Sequence, residues 1–181
     1  TLALTQYGEA DLSLLDEKPA GRQPIHTAVL PRQRLNDVMA RLSNAIRDGA
    51  QAYWICPLVE ETAESDLIAV EARHRELQTA LGMEIGLVHG RMPSEDKDAV
   101  VARFAAGEVK ILCATTVVEV GIDVPQASII IIEQAERFGL AQLHQLRGRV
   151  GRGADRSSCI LLYDTPLSNN ARARLELLRD T

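Results

Sequence analysis

The chain has 181 residues, a net charge of −5, 46% hydrophobic side chains and only 3% aromatic ones. This composition supplies one domain with an aliphatic core, and the acidic balance excludes a generally basic nucleic-acid coat, so any anion site must be local. No apolar run approaches the roughly 18 residues of a membrane span and no signal peptide is read, so membrane partners are excluded from the expectation.

The first 24 residues show no sustained period. "LLDEKPAGRQP", with two prolines and a glycine, reads as a linker. "IHTAVL" (25–30) is a strand candidate. A helix follows over 32–48, with Leu35, Val38, Met39, Leu42 and Ile46 on one face and Gly49 as its stop. "AYWIC" (52–56) is a strand. Residues 66–81 are expected as a helix, with Val70, Leu77 and Leu81 on one side and Gly82 at its end. "IGLVH" (85–89) is a short strand. A helix over 93–106 has Pro93 in its first turn, Glu95 and Asp96 at its positive end, and Gly107 as its stop. "VKILCAT" (109–115) and "SIIIIE" (128–133) are continuous apolar runs that fit strands buried on both faces. After the segment "QLHQLRGRVGRG" (142–153) come a strand, "SCILLY" (158–163), and a last helix from about 168.

This alternation predicts an α/β fold: an open, mostly parallel sheet with helices on both faces. Ligands of such sheets sit beyond the carboxyl ends of the strands, which singles out the loops 57–62, 89–93, 115–126 and 134–142. The phosphate-cradling pattern G-x-x-x-x-G-K-[ST] is missing, since no Gly-Lys pair occurs anywhere. His26, His74, His89 and His144 are scattered without metal-ligand spacing, so no metal site is expected. Cys56, Cys113 and Cys159 lie in or beside apolar runs and read as small hydrophobes of a reduced, cytoplasmic protein.

Three stretches carry chemistry. In "QLHQLRGRVGRG", Gln145, Arg149 and Arg152 are spaced i, i+4, i+7, one face of a helix, with Gly148, Gly151 and Gly153 between and beside them. Planar guanidiniums beside a stripped backbone suit phosphoryl oxygens in a transition state; a plain basic patch is the alternative. In "ATTVVEVGIDVP" (114–125), Thr115 and Thr116 end a buried strand, where hydroxyls suit a phosphate, and Gly121 brings Asp123 within reach of ribose hydroxyls. Equally, the threonines are helix caps and Asp123 shapes a turn before Pro125. In "LVHGRM" (87–92), Gly90 and Arg91 suit a nucleic-acid phosphate, or form a turn with a solvated arginine.

In the order "YWICPLVEE", "VHGRM", "ATTVVEVGIDVP", "QLHQLRGRVGRG", the chain resembles the second RecA-like domain of superfamily-two helicases over nearly its whole length, and "QLHQLRGRVGRG" is similar to motif VI of that class. With "TLALTQYGEADLSLLDEKPAGR" before and "LLYDTPLS" after, the combined wording is most similar to the bacterial branched-DNA helicases. Transcription-repair coupling factors share "FGLAQLHQLRGRVGR" and are the neighbouring alternative.

The resemblance implies a RecA-like, P-loop-NTPase-like fold, with 1–24 the linker or the end of a preceding helicase domain and 25–181 the C-terminal motor domain of a longer chain. It places Gly121 and Asp123 on the Gly-x-Asp that contacts the ribose. Gln145, Arg149 and Arg152 fall on the catalytic motif, the two arginines reaching the γ-phosphate. Gly90, Arg91, Thr115 and Thr116 fall on positions touching the DNA backbone. The implied activity is ATP-dependent helicase or translocase action on branched or forked DNA in recombination and repair. ATP and Mg2+ are then held mainly by the first motor domain, which supplies the phosphate loop and the DExH acidic pair missing here. From another class, the rival is a non-hydrolytic module that binds nucleotide or RNA with the same basic face.

Overall fold

The computed structural model describes residues 25–57, 63–115, 124–151 and 156–181. Among these, strands β1 (Ile25–Pro31), β2 (Ala52–Cys56), β3 (Gly86–Val88), β4 (Ile111–Thr115), β5 (Ile129–Ile132) and β6 (Ser157–Tyr163) alternate with helices α1 (Leu35–Arg47), α2 (Ala63–Leu81), α3 (Ser94–Ala105), α4 (Leu140–Arg147) and α5 (Asn169–Asp180). The strands form one sheet in the order β1-β6-β5-β2-β4-β3. Every pairing is parallel, as the unbroken apolar runs predict. The chain crosses β2 between β4 and β5, so the strand order changes direction at β2, and ligands of open parallel sheets gather outside the carboxyl ends at such a point.

Alternate side chains of each strand feed two cores. Tyr53, Ile55, Leu112, Ala114, Ile130, Ile132 and Leu161 face Phe104 of α3, Leu143 and Leu146 of α4, and Leu175 and Leu178 of α5. Trp54, Ile111, Cys113, Ile131 and Leu162 face Val38, Leu42 and Ile46 of α1 and Val70 and Leu77 of α2. The bulk is aliphatic, yet Trp54 and Phe104 are both 0% exposed, so the few aromatics are spent at the centre. All three cysteines are buried and free. Burial pushes the Cys159 thiol up to about 12.

Several expected boundaries shift. The helix expected at 32–48 opens as a short 3-10 turn over Arg32–Arg34 before α1 begins. The helix expected from 66 starts at Ala63. "IGLVH" shrinks to Gly86–Val88 because Ile85 is committed elsewhere. Its amide donates to Gln78 Oε1 at 3.1 Å and its carbonyl meets His74 Nε2 at 2.5 Å, so both groups bond to α2 rather than to a strand. The expected stops Gly49, Gly82 and Gly107 take φ of 99°, 65° and 80°.

Gly86 is needed for close approach. A Cβ there would sit 2.9 Å from Val100 Cγ1 and 3.1 Å from Leu112 Cδ1. Neither neighbour yields easily: valine is stiff at χ1, and Leu112 is fully buried. Gly86→Ala is therefore expected to destabilise the domain by about 1–3 kcal/mol, the usual range for overpacking, read as a lowered urea midpoint at unchanged slope.

Candidate nucleotide and nucleic-acid site

The glycine–arginine segment begins as a helix. Gly139 precedes α4, its amide bonded to Gln142 Oε1 at 3.1 Å, and Leu143 and Leu146 anchor the helix in the core at 0% and 1% exposure. The helix ends at Arg147. Gly148 N–H closes on His144 O at 3.0 Å, Arg149 N–H on Leu146 O at 3.0 Å, and Gly151 takes a φ of 86°, a left-handed conformation that glycine enters without steric cost. The expected helical row therefore breaks after its first member. Gln145 is exposed on α4, whereas Arg149 is half-buried in the turn that follows, between Gly148 and the fully buried Val150. Arg152 lies outside the described residues.

Nor is the segment a uniform basic face. Arg147 turns inward and donates from Nη1 to Leu178 O at 2.8 Å and to Thr27 Oγ1 at 3.4 Å. It thereby satisfies a carbonyl in the last turn of α5, where the helix dipole also favours a cation. Its neighbour His144 has its pKa lowered, first by burial and then by Arg147.

At the carboxyl end of β3, His89 is half-buried while Gly90 and Arg91 are exposed. The Arg91 amide donates to His89 Nδ1 at 3.2 Å, and Met92 N–H closes on His89 O at 3.2 Å, forming a compact turn before α3. The His89 pKa is lowered, chiefly by burial, with Lys97 and Arg91 reinforcing it against the opposing Glu71. The neutral ring accepting at Nδ1 carries its proton on Nε2.

At the end of β4, Thr115 is 2% exposed, and its hydroxyl has no hydrogen-bond partner among the described residues. Thr116, Gly121 and Asp123 lie outside the described residues, as do 58–62 of the loop after β2. The structure thus brings Gln145 and Arg149 onto one continuous segment and leaves Gly90 and Arg91 on a separate loop after β3.

A charged cluster escaped the sequence reading. Glu133 follows β5 directly and receives Arg73 Nε at 2.8 Å and Trp54 Nε1 at 2.6 Å on Oε2, and Arg73 Nη2 at 2.7 Å on Oε1. Cys56 Sγ approaches the same carboxylate at 3.6 Å. Arg73 and Glu133 are 13% and 12% exposed, and Arg73 also holds Glu76 at 2.6 Å. Burial alone would lower the Arg73 pKa; the Glu133 carboxylate against it more than offsets this, and the net shift is upward. The signal that could have found it is a carboxylate closing the all-apolar run "SIIIIE" at a strand's carboxyl end, where a charge needs a partner. A cleft of about 110 Å³ adjoins the pair, bordered by Cys56, Pro57, Asp66 and Gln134. A larger, mostly apolar cavity of about 250 Å³ lies between α1 and strands β1, β6 and β5, away from the arginine turn. Among the described residues, no group of three His, Cys, Asp or Glu side chains could hold a metal ion.

Comparison with known proteins gives a consistent pattern. The helicase conserved C-terminal domain family matches residues 34–154, about two thirds of the chain. The chain is 54% identical to the ATP-dependent DNA helicase RecG of Acidithiobacillus ferridurans over 182 residues, covering 100% of this chain and 27% of that protein. Against RecG of Escherichia coli strain K12 the identity is 54% over 183 residues, covering 100% of this chain and 26% of the relative. The chain thus spans about a quarter of the length of these curated relatives. A solved structure of RecG bound to a three-way DNA junction superposes with a TM-score of 0.75 at 40% identity, covering 89% of this chain and 21% of that one. Saccharomyces cerevisiae Dbp5 bound to RNA and ADP BeF3 shares the fold, with a TM-score of 0.61 at 19% identity over 88% of this chain and 39% of the other. With six parallel strands in RecA-like order and a family match over residues 34–154, the chain belongs to the helicase conserved C-terminal domain family.

Proposed function

We propose that this chain is the second motor domain of an ATP-driven DNA translocase that remodels branched or forked DNA. In this reading Arg149 and Arg152 reach the γ-phosphate of an ATP gripped by a preceding motor domain. The observation that carries it is the geometry of the turn. Arg147 is committed to the end of α5, and Arg149 stands in a tight turn between Gly148 and Val150, its amide closed on Leu146 O. A guanidinium fork there pairs with phosphoryl oxygens and neutralises the charge that grows on them. Gln145 is placed beside the same nucleotide, and Gly121 and Asp123 are assigned to its ribose. Mg2+ belongs with the ATP on the preceding domain, whose acidic residues supply its oxygen ligands. The whole-chain identity to RecG proteins favours this reading over the coupling-factor alternative. It is also consistent with a cytoplasmic protein, and no helix among the described residues is long and apolar enough to cross a membrane.

Two measurements test the division of labour. The isolated 181-residue chain, which has no Gly-Lys phosphate loop, is expected to show no steady ATP hydrolysis. Hydrolysis abolished by changing a residue within this chain alone would overturn the two-domain reading and favour a self-contained enzyme. For DNA, a motor that steps over any sequence is served by phosphate contacts rather than base readout. In the full-length protein, Arg91→Ala is therefore expected to weaken binding equally on unrelated sequences and to flatten the salt dependence by about one phosphate contact. A loss confined to one sequence would contradict it.

A further inference from the structure

The path from β5 into α4 is held at nearly every residue. Glu133 is gripped by Arg73 from α2 and by Trp54 from β2. Gln134 adopts φ 49° and ψ 48°, a left-handed conformation unusual for a residue with a side chain, and its Oε1 is buried with no hydrogen-bond partner among the described residues. Ala135 is 0% exposed. Glu136 accepts the Asp164 amide on Oε1 at 3.2 Å, and its carbonyl accepts Arg174 Nη2 at 2.9 Å. Phe138 is 2% exposed. Of this stretch, only Arg137 and Gly139 are exposed.

We propose that Arg73 and Glu133 are positioning residues for the arginine turn: their ion pair pins the strained Gln134 bend and so fixes where α4, and with it Arg149, stands. This inference rests on the catalytic role proposed above for Arg149. Three physical points support it. A buried ion pair is a poor means of stabilising a fold, since apolar side chains of equal volume often serve as well, so geometric definition is the better account of its presence. A strained residue persists only where its surroundings over-determine it, and here a charged clamp precedes it and a buried alanine follows. Finally, α4 is short and seated by Leu143 and Leu146, and Val150 seats the turn beyond it, so a displaced bend has no slack in which to dissipate before reaching Arg149. A reacting group misplaced by about 1 Å can cost up to 100-fold in rate.

Two variants of the full-length protein test this. Gln134→Gly removes both the strain and the unpartnered oxygen, so the folded state should be as stable as wild type or more so. Its kcat for DNA-stimulated ATP hydrolysis is nevertheless expected to fall by about ten-fold or more, with KM for ATP and DNA affinity within about two-fold of wild type. Arg73→Lys keeps the charge but loses the fork. It should lower kcat in the same way, and in the 181-residue chain it should shift the emission of Trp54, the sole tryptophan, which shares the Glu133 carboxylate. A purely structural cluster predicts the opposite: Gln134→Gly hydrolyses at the wild-type rate, and Arg73→Lys lowers only the melting temperature. That outcome, with hydrolysis still sensitive to Arg149→Lys, overturns the positioning role alone. Absence of DNA-stimulated hydrolysis in the wild type, or hydrolysis indifferent to Arg149→Lys, overturns the proposed function and this inference together.

Discussion

Arg149→Lys and Arg152→Lys in the full-length protein are expected to cut DNA-stimulated ATP hydrolysis by about 10³-fold or more, the usual worth of an arginine finger. That corresponds to roughly 4 kcal/mol of barrier, with 7 kcal/mol as the upper end of the range. The size of the effect follows from what lysine lacks. Lysine preserves the positive charge and most of the stem, but its single ammonium cannot pair two phosphoryl oxygens from a rigid plane. The turn fixes the backbone at Arg149 through the 3.0 Å bond from its amide to Leu146 O, so a shorter point charge cannot recover the fork's position by moving the chain. Folding should be little altered, because Val150 and Leu146, at 0% and 1% exposure, hold the core beneath. If the segment were only a basic patch for DNA, lysine would substitute well, and the loss would appear in affinity rather than in turnover.

Glu133→Ala is expected to cost the fold about 3–5 kcal/mol, the range seen when one partner of a buried ion pair is removed. Three donated hydrogen bonds disappear at once: two from Arg73, at 2.8 and 2.7 Å, and one from the Trp54 indole, at 2.6 Å. Arg73 keeps Glu76, but that carboxylate is 57% exposed and screened by solvent, so it compensates poorly for the lost partner. The indole sits in a core position with 0% exposure and keeps no acceptor. Against a total stability of about 5–15 kcal/mol this is a large fraction. Urea unfolding followed by Trp54 emission should show the midpoint falling at unchanged slope. A loss below about 1 kcal/mol would mean that the pair behaves like a solvated surface bridge.

The sheet was legible because β4 and β5 are continuous apolar runs and α1, α2 and α3 stop at Gly49, Gly82 and Gly107, patterns that local chemistry enforces. What pattern reading misplaced is tertiary in origin. Ile85 reads as strand by its side chain but bonds to α2 through Gln78 and His74, and no periodicity records such a choice. Arg149 reads as helical by spacing, yet the glycines that marked the segment as unusual are the ones that end the helix before it. Arg147, two residues before it in the same segment, is tied to Leu178, 31 residues away. Glu133 was passed over because its partners, Trp54 and Arg73, are separated from it by 79 and 60 residues. Charge pairing across such distances becomes visible only after the fold brings β2, β5 and α2 together.

The most direct test is the rate of ATP hydrolysis by full-length Arg149→Lys at saturating branched DNA, measured beside its DNA affinity. If Arg149 reaches the γ-phosphate, hydrolysis falls by about 10³-fold with affinity within about two-fold of wild type. Near-normal hydrolysis with weakened binding would contradict it, and would mean that the arginine turn faces DNA instead of the nucleotide.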